Sequence, residues 1–186
     1  TFLGPDPEII DSMGNKAKAK QTMKAAGVPV VPGGEGILEG PEDALEKANQ
    51  VGYPLMLKAS AGGGGRGMRL VKEESEVIAA YKSANQESLK AFGNGDIYIE
   101  KFIENPRHIE VQILADTHGN AIHLGERECS IQRRHQKLIE ESPSPIVDEE
   151  TRKKICETAV AGARAVNYVG VGTIEFLMDK QKNFYF

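Results

Sequence analysis

A glycine-rich segment at residues 59–68 constrains the fold of this chain more than any other feature. It reads Ala-Ser-Ala-Gly-Gly-Gly-Gly-Arg-Gly-Met and lies between two apolar runs, at 54–58 and 68–71. Five glycines in ten positions leave a turn between strands almost without Cβ atoms. Backbone N–H groups there can approach a ligand and adopt unusual φ values. This composition favours a phosphate-binding loop.

The loop differs from two common phosphate-binding motifs. It lacks the Gly-Lys-Ser/Thr ending of a Walker A motif, and a strand pattern rather than a helix follows it. It also lacks the spacing of a dinucleotide-binding fingerprint. A flexible linker would be polar at both ends, whereas strand patterns flank this loop. We therefore predict a glycine-rich hairpin with Lys58 at the end of its first strand.

Composition and charge exclude several classes of protein. The chain has 186 residues, of which 40% are hydrophobic and 27% charged, as expected of a globular fold. The net charge is −4, and the sequence has no basic stretch longer than 133–137. These features argue against binding to nucleic acid or to a membrane surface. Cys129 and Cys156 lack paired spacing, which predicts inert thiols in a reducing compartment. Residues 1–20 lack a signal-peptide pattern, so we expect a cytoplasmic protein.

Hydrophobic periodicity, glycine and proline predict an α+β fold. We expect helices at 16–26, 41–51, 73–92 and 149–166. We expect strands at 55–59, 67–71, 97–103, 108–115, 121–128 and 172–178, with a returning strand after a turn at 179–183. In the third helix, a buried stripe is expected to contain Val77, Ile78, Tyr81 and Leu89.

The order of these elements predicts three parts. Residues 1–29 form a helical connector, 30–102 form a compact subdomain that carries the glycine loop, and 103–186 begin a second sheet. The middle part is expected to be a lid with hinges near 30–33 and 102–105. The chain has no initial methionine and stops within a predicted hairpin, so we expect a piece of a larger protein.

Polar side chains alternate with apolar ones in the strand at 107–114. A period of two places His108, Glu110 and Gln112 on the face opposite the core. For Gln112 we favour a solvated position, while for His108 and Glu110 a solvated face and a binding face stay equally open. In the last strand, Glu175 lies among apolar residues and needs a cation if it is buried. A magnesium ion that carries nucleotide phosphates would supply one.

The segment at 126–137 is a second cluster of side chains that can bind a ligand. Three cations and His135 fall within five residues and could hold a phosphate tail. A solvated basic turn that is neutralised by Glu140 and Glu141 remains an equally simple alternative.

Five motifs together resemble the ATP-grasp region of biotin carboxylases. They occur in the family's order and extend over essentially the whole chain, at 13–16, 58–68, 100–110, 126–137 and 172–176. The string Ser-Ile-Gln-Arg-Arg-His-Gln-Lys at 130–137 is specific to biotin-dependent carboxylases. Residues 123–126 and 140–145 look more like the biotin carboxylase of acetyl-CoA carboxylase than like that of pyruvate or propionyl-CoA carboxylase.

The resemblance implies a reaction and its partners. ATP and bicarbonate would give carboxyphosphate, whose CO₂ passes to biotin on a carrier protein or domain. The implied cofactors are ATP and Mg²⁺ or Mn²⁺, with biotin as the carboxyl acceptor. The implied partners include a carboxyltransferase component. The resemblance also implies that the full-length protein forms a homodimer. The implied pathway is fatty acid synthesis.

The resemblance also assigns residues to the ATP phosphates and to the adenine. Lys16 and Lys58 would contact the phosphates. The lid over them would include Gly64, Gly65 and Met68. The adenine pocket would be lined by four residues, Glu100, Lys101, Ile103 and Leu177.

The remaining assignments concern the ribose, the metal and the reacting groups. His108, Gln132 and His135 would lie in the ribose and phosphate region. Glu175 would bind magnesium, and Lys137 would lie near bicarbonate or carboxyphosphate.

The resemblance places other functional groups outside residues 1–186. A second metal carboxylate would follow soon after Phe186, and the groups that act on bicarbonate and biotin would lie further on. We therefore expect the fragment alone to be inactive. Two alternatives stay open, another ATP-grasp ligase such as a carbamoyl-phosphate synthetase and a nucleotide-binding module without chemistry.

Overall fold

The computed structural model describes residue 2 and residues 4–61 and 65–186. Helices α1 to α5 are Pro7–Gly14, Lys16–Ala25, Pro41–Val51, Val77–Phe92 and Glu149–Ala165. Strands β1 to β8 are Leu55–Ala59, Met68–Val71, Ile97–Lys101, Arg107–Ala115, Ala121–Arg133, Gln136–Glu141, Gly170–Met178 and Phe184–Tyr185. Mixed helices and antiparallel sheets confirm the predicted α+β class. Within the described ranges, no helix combines the length and apolarity needed to cross a bilayer.

The chain divides into two compact units. We call residues 14–17 and 31–102 the hairpin unit, and residues 1–13, 18–30 and 103–186 the sheet unit. The three-part division expected from the sequence stays a prediction.

The hairpin unit is built on a three-stranded antiparallel sheet in the order β2-β1-β3. Alternate residues of β1 are buried, because one face of the sheet packs against the unit's core. That core includes Leu55, Leu57, Ile97 and Ile99, all fully buried, and residues of α3 and α4 complete it. In register, Lys58 lies opposite Met68 on one neighbouring strand and opposite Tyr98 on the other.

The buried stripe predicted for α4 is partly wrong. A 3₁₀ turn at Glu74–Glu76 precedes the helix, which starts at Val77. Val77 is buried and Tyr81 packs against the core, but Ile78 is 39% exposed and Leu89 is 56% exposed. Ser88 takes the inward position instead, because its hydroxyl donates to the Asn94 carbonyl (2.6 Å) in the loop after the helix.

The sheet unit is built on a five-stranded antiparallel sheet in the order β6-β5-β4-β7-β8. Helix α5 contributes to the core on one face of it, together with Ile109, Val111 and Ile113 of β4. Phe176 of β7 is 1% exposed and meets Phe184 of β8 edge to face, with ring centroids 5.6 Å apart. The sheet therefore has one apolar face, and its other face is available to polar side chains.

The basic segment after β5 forms a hairpin, with Arg134 and His135 exposed at its turn. Strand β5 continues to Arg133, and β6 returns from Gln136. Arg134 and His135 have φ values of 52° and 67°, as the two central residues of a tight hairpin turn require. Ile131 pairs with Ile139 across the two strands. The backbone pairing thus extends well beyond the strand that the sequence predicts.

Candidate functional site

The polar face of the central strand carries the main candidate site of the sheet unit. Burial of Ile109 and Val111 on one side of β4 places His108, Glu110 and Gln112 on the other. In register, Glu110 lies opposite Arg127 of β5 and opposite Glu175 of β7. Antiparallel pairing therefore brings charges from three strands onto one face.

Glu110 is the buried centre of this cluster. It is 3% exposed, and it accepts a hydrogen bond from Arg127 Nε (2.5 Å) and another from Lys137 Nζ. Burial raises the pKa of Glu110, but the hydrogen bonds from Lys137 and Arg127 outweigh it and leave this pKa below the ordinary value. Glu110 is thus an ion-paired carboxylate rather than a solvated side chain.

Lys137 joins two carboxylates. Its ammonium also donates to Glu175 Oε1 at 2.5 Å. Burial alone would lower the pKa of Lys137, but hydrogen bonds to Glu110 and Glu175 raise it to about 12. Lys137 therefore carries a fixed positive charge at neutral pH.

Glu175 is half-exposed rather than buried. Its side chain is 52% exposed, and His108 Nε2 lies 3.5 Å from Oε1. The hydrogen bond from His108 is the largest influence on the pKa of Glu175, and together with the one from Lys137 it outweighs burial and lowers this pKa to about 2. The cation beside this carboxylate is therefore the Lys137 ammonium of the chain itself, and the carboxylate is ionised at neutral pH.

The ring of His108 is held by the strand that follows. Gln132 Nε2 lies 2.7 Å from His108 Nδ1 and also donates to the Cys129 carbonyl at 2.8 Å. Because Gln132 directs an N–H to Nδ1, the ring proton belongs on Nε2, which faces Glu175. Leu177 lies opposite His108 in the β4–β7 register.

Two further polar residues of this face were missed or misjudged. The sequence favours a solvated Gln112, and this is wrong, because its side chain accepts from Arg127 (3.0 Å) and donates to the Gly172 carbonyl (2.9 Å). Arg127 was not singled out from the sequence. It lies within the predicted strand at 121–128, but alternation alone does not tell which residue of β4 it faces.

The other predicted residues of the sheet unit lie apart from this network. His135 is exposed at the hairpin turn, and Ile103 is partly buried in the segment between β3 and β4. The structure thus joins His108, Gln132, Lys137 and Glu175 in one network, with Leu177 alongside.

The hairpin unit holds a separate ion pair. Lys58 Nζ donates to Glu100 Oε2 at 2.5 Å, and Glu100 is only 4% exposed. The Lys101 ammonium donates to the Tyr53 carbonyl at 2.9 Å. These contacts place the predicted phosphate ligand Lys58 directly beside the predicted adenine ligand Glu100.

Lys16 is anchored at the beginning of the glycine loop. Its backbone N–H donates to the carbonyl of Ser60 (3.2 Å), and the Ser60 hydroxyl donates to Asn15 (2.9 Å). Gly65 has a φ of +79°, a left-handed conformation that favours glycine. Gly64 lies outside the described residues, whereas Met68 begins β2 opposite Lys58.

Among the described residues, two sets of side chains offer ligand atoms that could hold a metal ion. Glu175 supplies a half-exposed, ionised carboxylate, which fits the oxygen ligands that Mg²⁺ prefers. Glu110, Cys129 and Glu140 also have ligand atoms within 4.8 Å of one another. However, Glu110 is occupied by two cations, and burial, aided by the nearby Glu110, raises the pKa of the Cys129 thiol to about 11. This second set is therefore unsuited to Mg²⁺.

Comparison with known proteins agrees with these features. Residues 15–186 match the family model of the ATP-binding domain of the carbamoyl-phosphate synthase L chain. The chain is 58% identical over 185 residues to a biotin carboxylase of Nostoc sp., with 100% of this chain and 41% of that protein covered. The resemblance to biotin carboxylases is therefore confirmed.

Solved structures give the same result. The structure of a biotin carboxylase–β-γ-ATP complex from Campylobacter jejuni superimposes with a TM-score of 0.96 at 57% identity, covering 100% of this chain and 42% of that one. The biotin carboxylase domain dimer of Hydrogenobacter thermophilus 2-oxoglutarate carboxylase, in complex with MgADP, ADP and bicarbonate, gives 0.95 at 52% identity, covering 100% and 41%. The predicted ATP-grasp fold is confirmed, and the chain spans about two fifths of the length of these relatives.

Proposed function

Because this chain belongs to the family of the carbamoyl-phosphate synthase L chain ATP-binding domain, we propose that it is the ATP-binding part of a biotin carboxylase. Within a protein of its relatives' length, it would carboxylate biotin from ATP and bicarbonate through carboxyphosphate. The observation that supports this most is the network in which Lys137 joins buried Glu110 to half-exposed Glu175.

The charges of this network suit a metal-bound polyphosphate. Two cations, Lys137 and Arg127, balance two carboxylates, Glu110 and Glu175. A divalent ion held by Glu175 would leave an excess of positive charge for phosphate oxygens. When bound, Mg²⁺ would neutralise charge on the transferred phosphoryl group. The exposed part of Glu175 leaves one of its sides open to such an ion.

Lys137 would act on the reacting anion. Its fixed positive charge would stabilise bicarbonate or the oxygens of carboxyphosphate, since preorganised cations stabilise negative charge in a transition state. The Glu110 carboxylate, buried and held by Arg127, would keep the ammonium in place. His108, Gln132 and His135 would meet the ribose and phosphates.

The other assignments divide between phosphates and base. Lys16 and Lys58 would bind the phosphates as charge-assisted donors. The glycine loop, with Gly64, Gly65 and Met68, would cover them. The adenine would contact the remaining four residues, Glu100, Lys101, Ile103 and Leu177.

We further propose acetyl-CoA carboxylase, and so fatty acid synthesis, as the destination of the carboxyl group. Residues 123–126 and 140–145 support it, with pyruvate or propionyl-CoA carboxylase as the alternative. A cytoplasmic homodimer that works with a biotin carrier and a carboxyltransferase belongs to the same proposal. Acetyl-CoA-dependent turnover of carboxybiotin by the parent protein and its carboxyltransferase would test it.

Replacing either Lys58 or Lys16 by Met is expected to weaken binding of Mg-ATP. Charge-assisted hydrogen bonds are worth about 1.5–3 kcal/mol, so each change should raise the dissociation constant by roughly tenfold to 150-fold. Isothermal titration calorimetry measures it, with Lys154→Met as the control, because Lys154 is an exposed lysine on α5 that pairs with Glu150. Unchanged affinity in both variants would remove these lysines from the proposed site.

The 186 residues alone are expected to bind nucleotide without turnover. The groups that the resemblance assigns to bicarbonate and biotin act on the transition state, and their loss lowers rate rather than binding. Phosphate release is measured with Mg-ATP, bicarbonate and free biotin. Release that biotin stimulates would contradict the proposed mechanism, whereas nucleotide binding without turnover, even in a protein of full length, would favour a non-catalytic module.

A further inference from the structure

Ser130 on β5 supports the backbone of His108. Ile109 pairs with Glu128 in the β4–β5 register, and the pairing of β5 with β6 shifts between Glu128 and Ile131. At that point the backbone N–H of His108 donates to the Ser130 hydroxyl oxygen at 2.8 Å. A side-chain oxygen thus takes the place of a strand carbonyl.

The orientation of that hydroxyl is set by a buried carboxylate. Ser130 Oγ donates to Glu128 Oε1, so its proton points to Glu128 and a lone pair remains for the His108 N–H. Glu128 is 4% exposed, and its other carboxylate oxygen accepts a hydrogen bond from Ser144 Oγ (3.2 Å). Arg107 Nη1 lies 3.8 Å from Glu128 Oε1. A carboxylate with these partners is fixed in position.

The same strand also fixes the ring of His108. Gln132, two residues after Ser130, contacts Nδ1 and thereby directs the Nε2 proton to Glu175. The backbone and the ring of His108 are therefore held by alternate residues of one strand. Loss of the backbone contact would let the start of β4 shift relative to Gln132 and Glu175.

We propose that Ser130 and Glu128 are positioning residues, which place His108 for nucleotide binding. The proposal rests on the proposed function, because His108 matters to a nucleotide only if the sheet unit binds one. Neither residue needs to touch the ligand. Their effect passes through the hydrogen bond at the His108 backbone and then through the ring to Glu175.

The test compares three variants, Ser130→Ala, Ser130→Thr and Ser142→Ala. Ser130→Ala removes the acceptor, Ser130→Thr keeps a hydroxyl, and Ser142→Ala removes a serine hydroxyl that donates to the Glu126 carbonyl instead. Amide exchange at His108 and the ring nitrogen shifts are measured by NMR without nucleotide. Mg-ATP affinity is measured by calorimetry, and thermal unfolding confirms that each variant is folded.

We expect Ser130→Ala to speed exchange of the His108 amide and to weaken Mg-ATP binding, each by about threefold to tenfold. Ser130→Thr should restore both values, and Ser142→Ala should change neither. Unchanged exchange at His108 would overturn the proposal. So would faster exchange with wild-type ATP affinity, an outcome that leaves the proposed function intact.

A wild-type chain that binds no Mg-ATP would contradict the proposed function and would overturn the nucleotide role of Ser130 with it. If the Ser130→Ala variant does not fold, the Glu128→Gln variant tests the proposal instead. This variant keeps an acceptor for the hydroxyl but loses the charge. Slower exchange in it than in wild type would also contradict the proposal, whereas faster exchange with weaker ATP binding would support it.

Discussion

Replacing Lys137 by Met is expected to lower biotin-dependent ATP cleavage by about 10²- to 10³-fold, measured in a protein of the relatives' length that carries this sequence. The ammonium is fully charged and is held by Glu110 and Glu175, so its position costs no reorganisation during the reaction. A group of this kind stabilises charge that develops in the transition state. We therefore expect the loss mainly in kcat rather than in KM for ATP.

Two controls separate this role from a structural one. Lys137→Arg keeps the positive charge but changes its geometry, and it should recover only part of the rate. Lys154→Met removes an exposed lysine of α5 and should leave the rate unchanged. A Lys137→Met protein that is folded and cleaves ATP within threefold of the wild-type rate would contradict the role proposed for Lys137.

Residues that begin or end an element, and the alternation within it, explain why part of the fold is predictable from sequence. Pro41 at the start of α3 and Gly52 after its end give that helix its predicted bounds. Strand β1 also has its predicted bounds, since alternation of buried and half-buried residues is clear there. In such segments the signal lies within the element itself.

Strand β6 shows why other elements escape prediction. Most residues of Gln136–Glu141 are exposed, so no alternation of apolar and polar residues marks a strand. Its pairing with β5 and the turn at Arg134 and His135 stabilise it instead. The inward face of α4 was misjudged for a similar reason, because a loop carbonyl beyond the helix satisfies Ser88.

The candidate site follows the same division. Alternation along β4 places His108 and Glu110 on a polar face, as the sequence allows. Which cations reach Glu110 depends on the registers of β5 and β6. These registers are set by long-range backbone pairing, which cannot be inferred from a single sequence. Arg127 was missed for that reason, while Lys137 was named only through a family resemblance.

Replacing Arg152 by Ala is expected to lower the free energy of unfolding by about 3–5 kcal/mol. Glu126 is 1% exposed and accepts from Arg152 Nε at 2.9 Å, and the same carboxylate oxygen accepts from the Ser144 N–H at 3.1 Å. Arg152 also donates to the Val147 carbonyl (2.9 Å). Its loss would leave a buried carboxylate without its cation and would release the 142–148 segment from α5.

Urea unfolding measures the change, with Lys154→Ala as the matched control on the same helix. Lys154 forms an exposed pair with Glu150, and such pairs contribute at most about 1 kcal/mol. The double variant Arg152→Met/Glu126→Leu should recover much of the lost stability, because it removes the buried charge together with its partner. Equal losses in Arg152→Ala and Lys154→Ala would show that Glu126 is neutralised by something other than Arg152. A double variant no more stable than Arg152→Ala would show that the destabilisation arises from lost packing of the arginine rather than from an uncompensated charge.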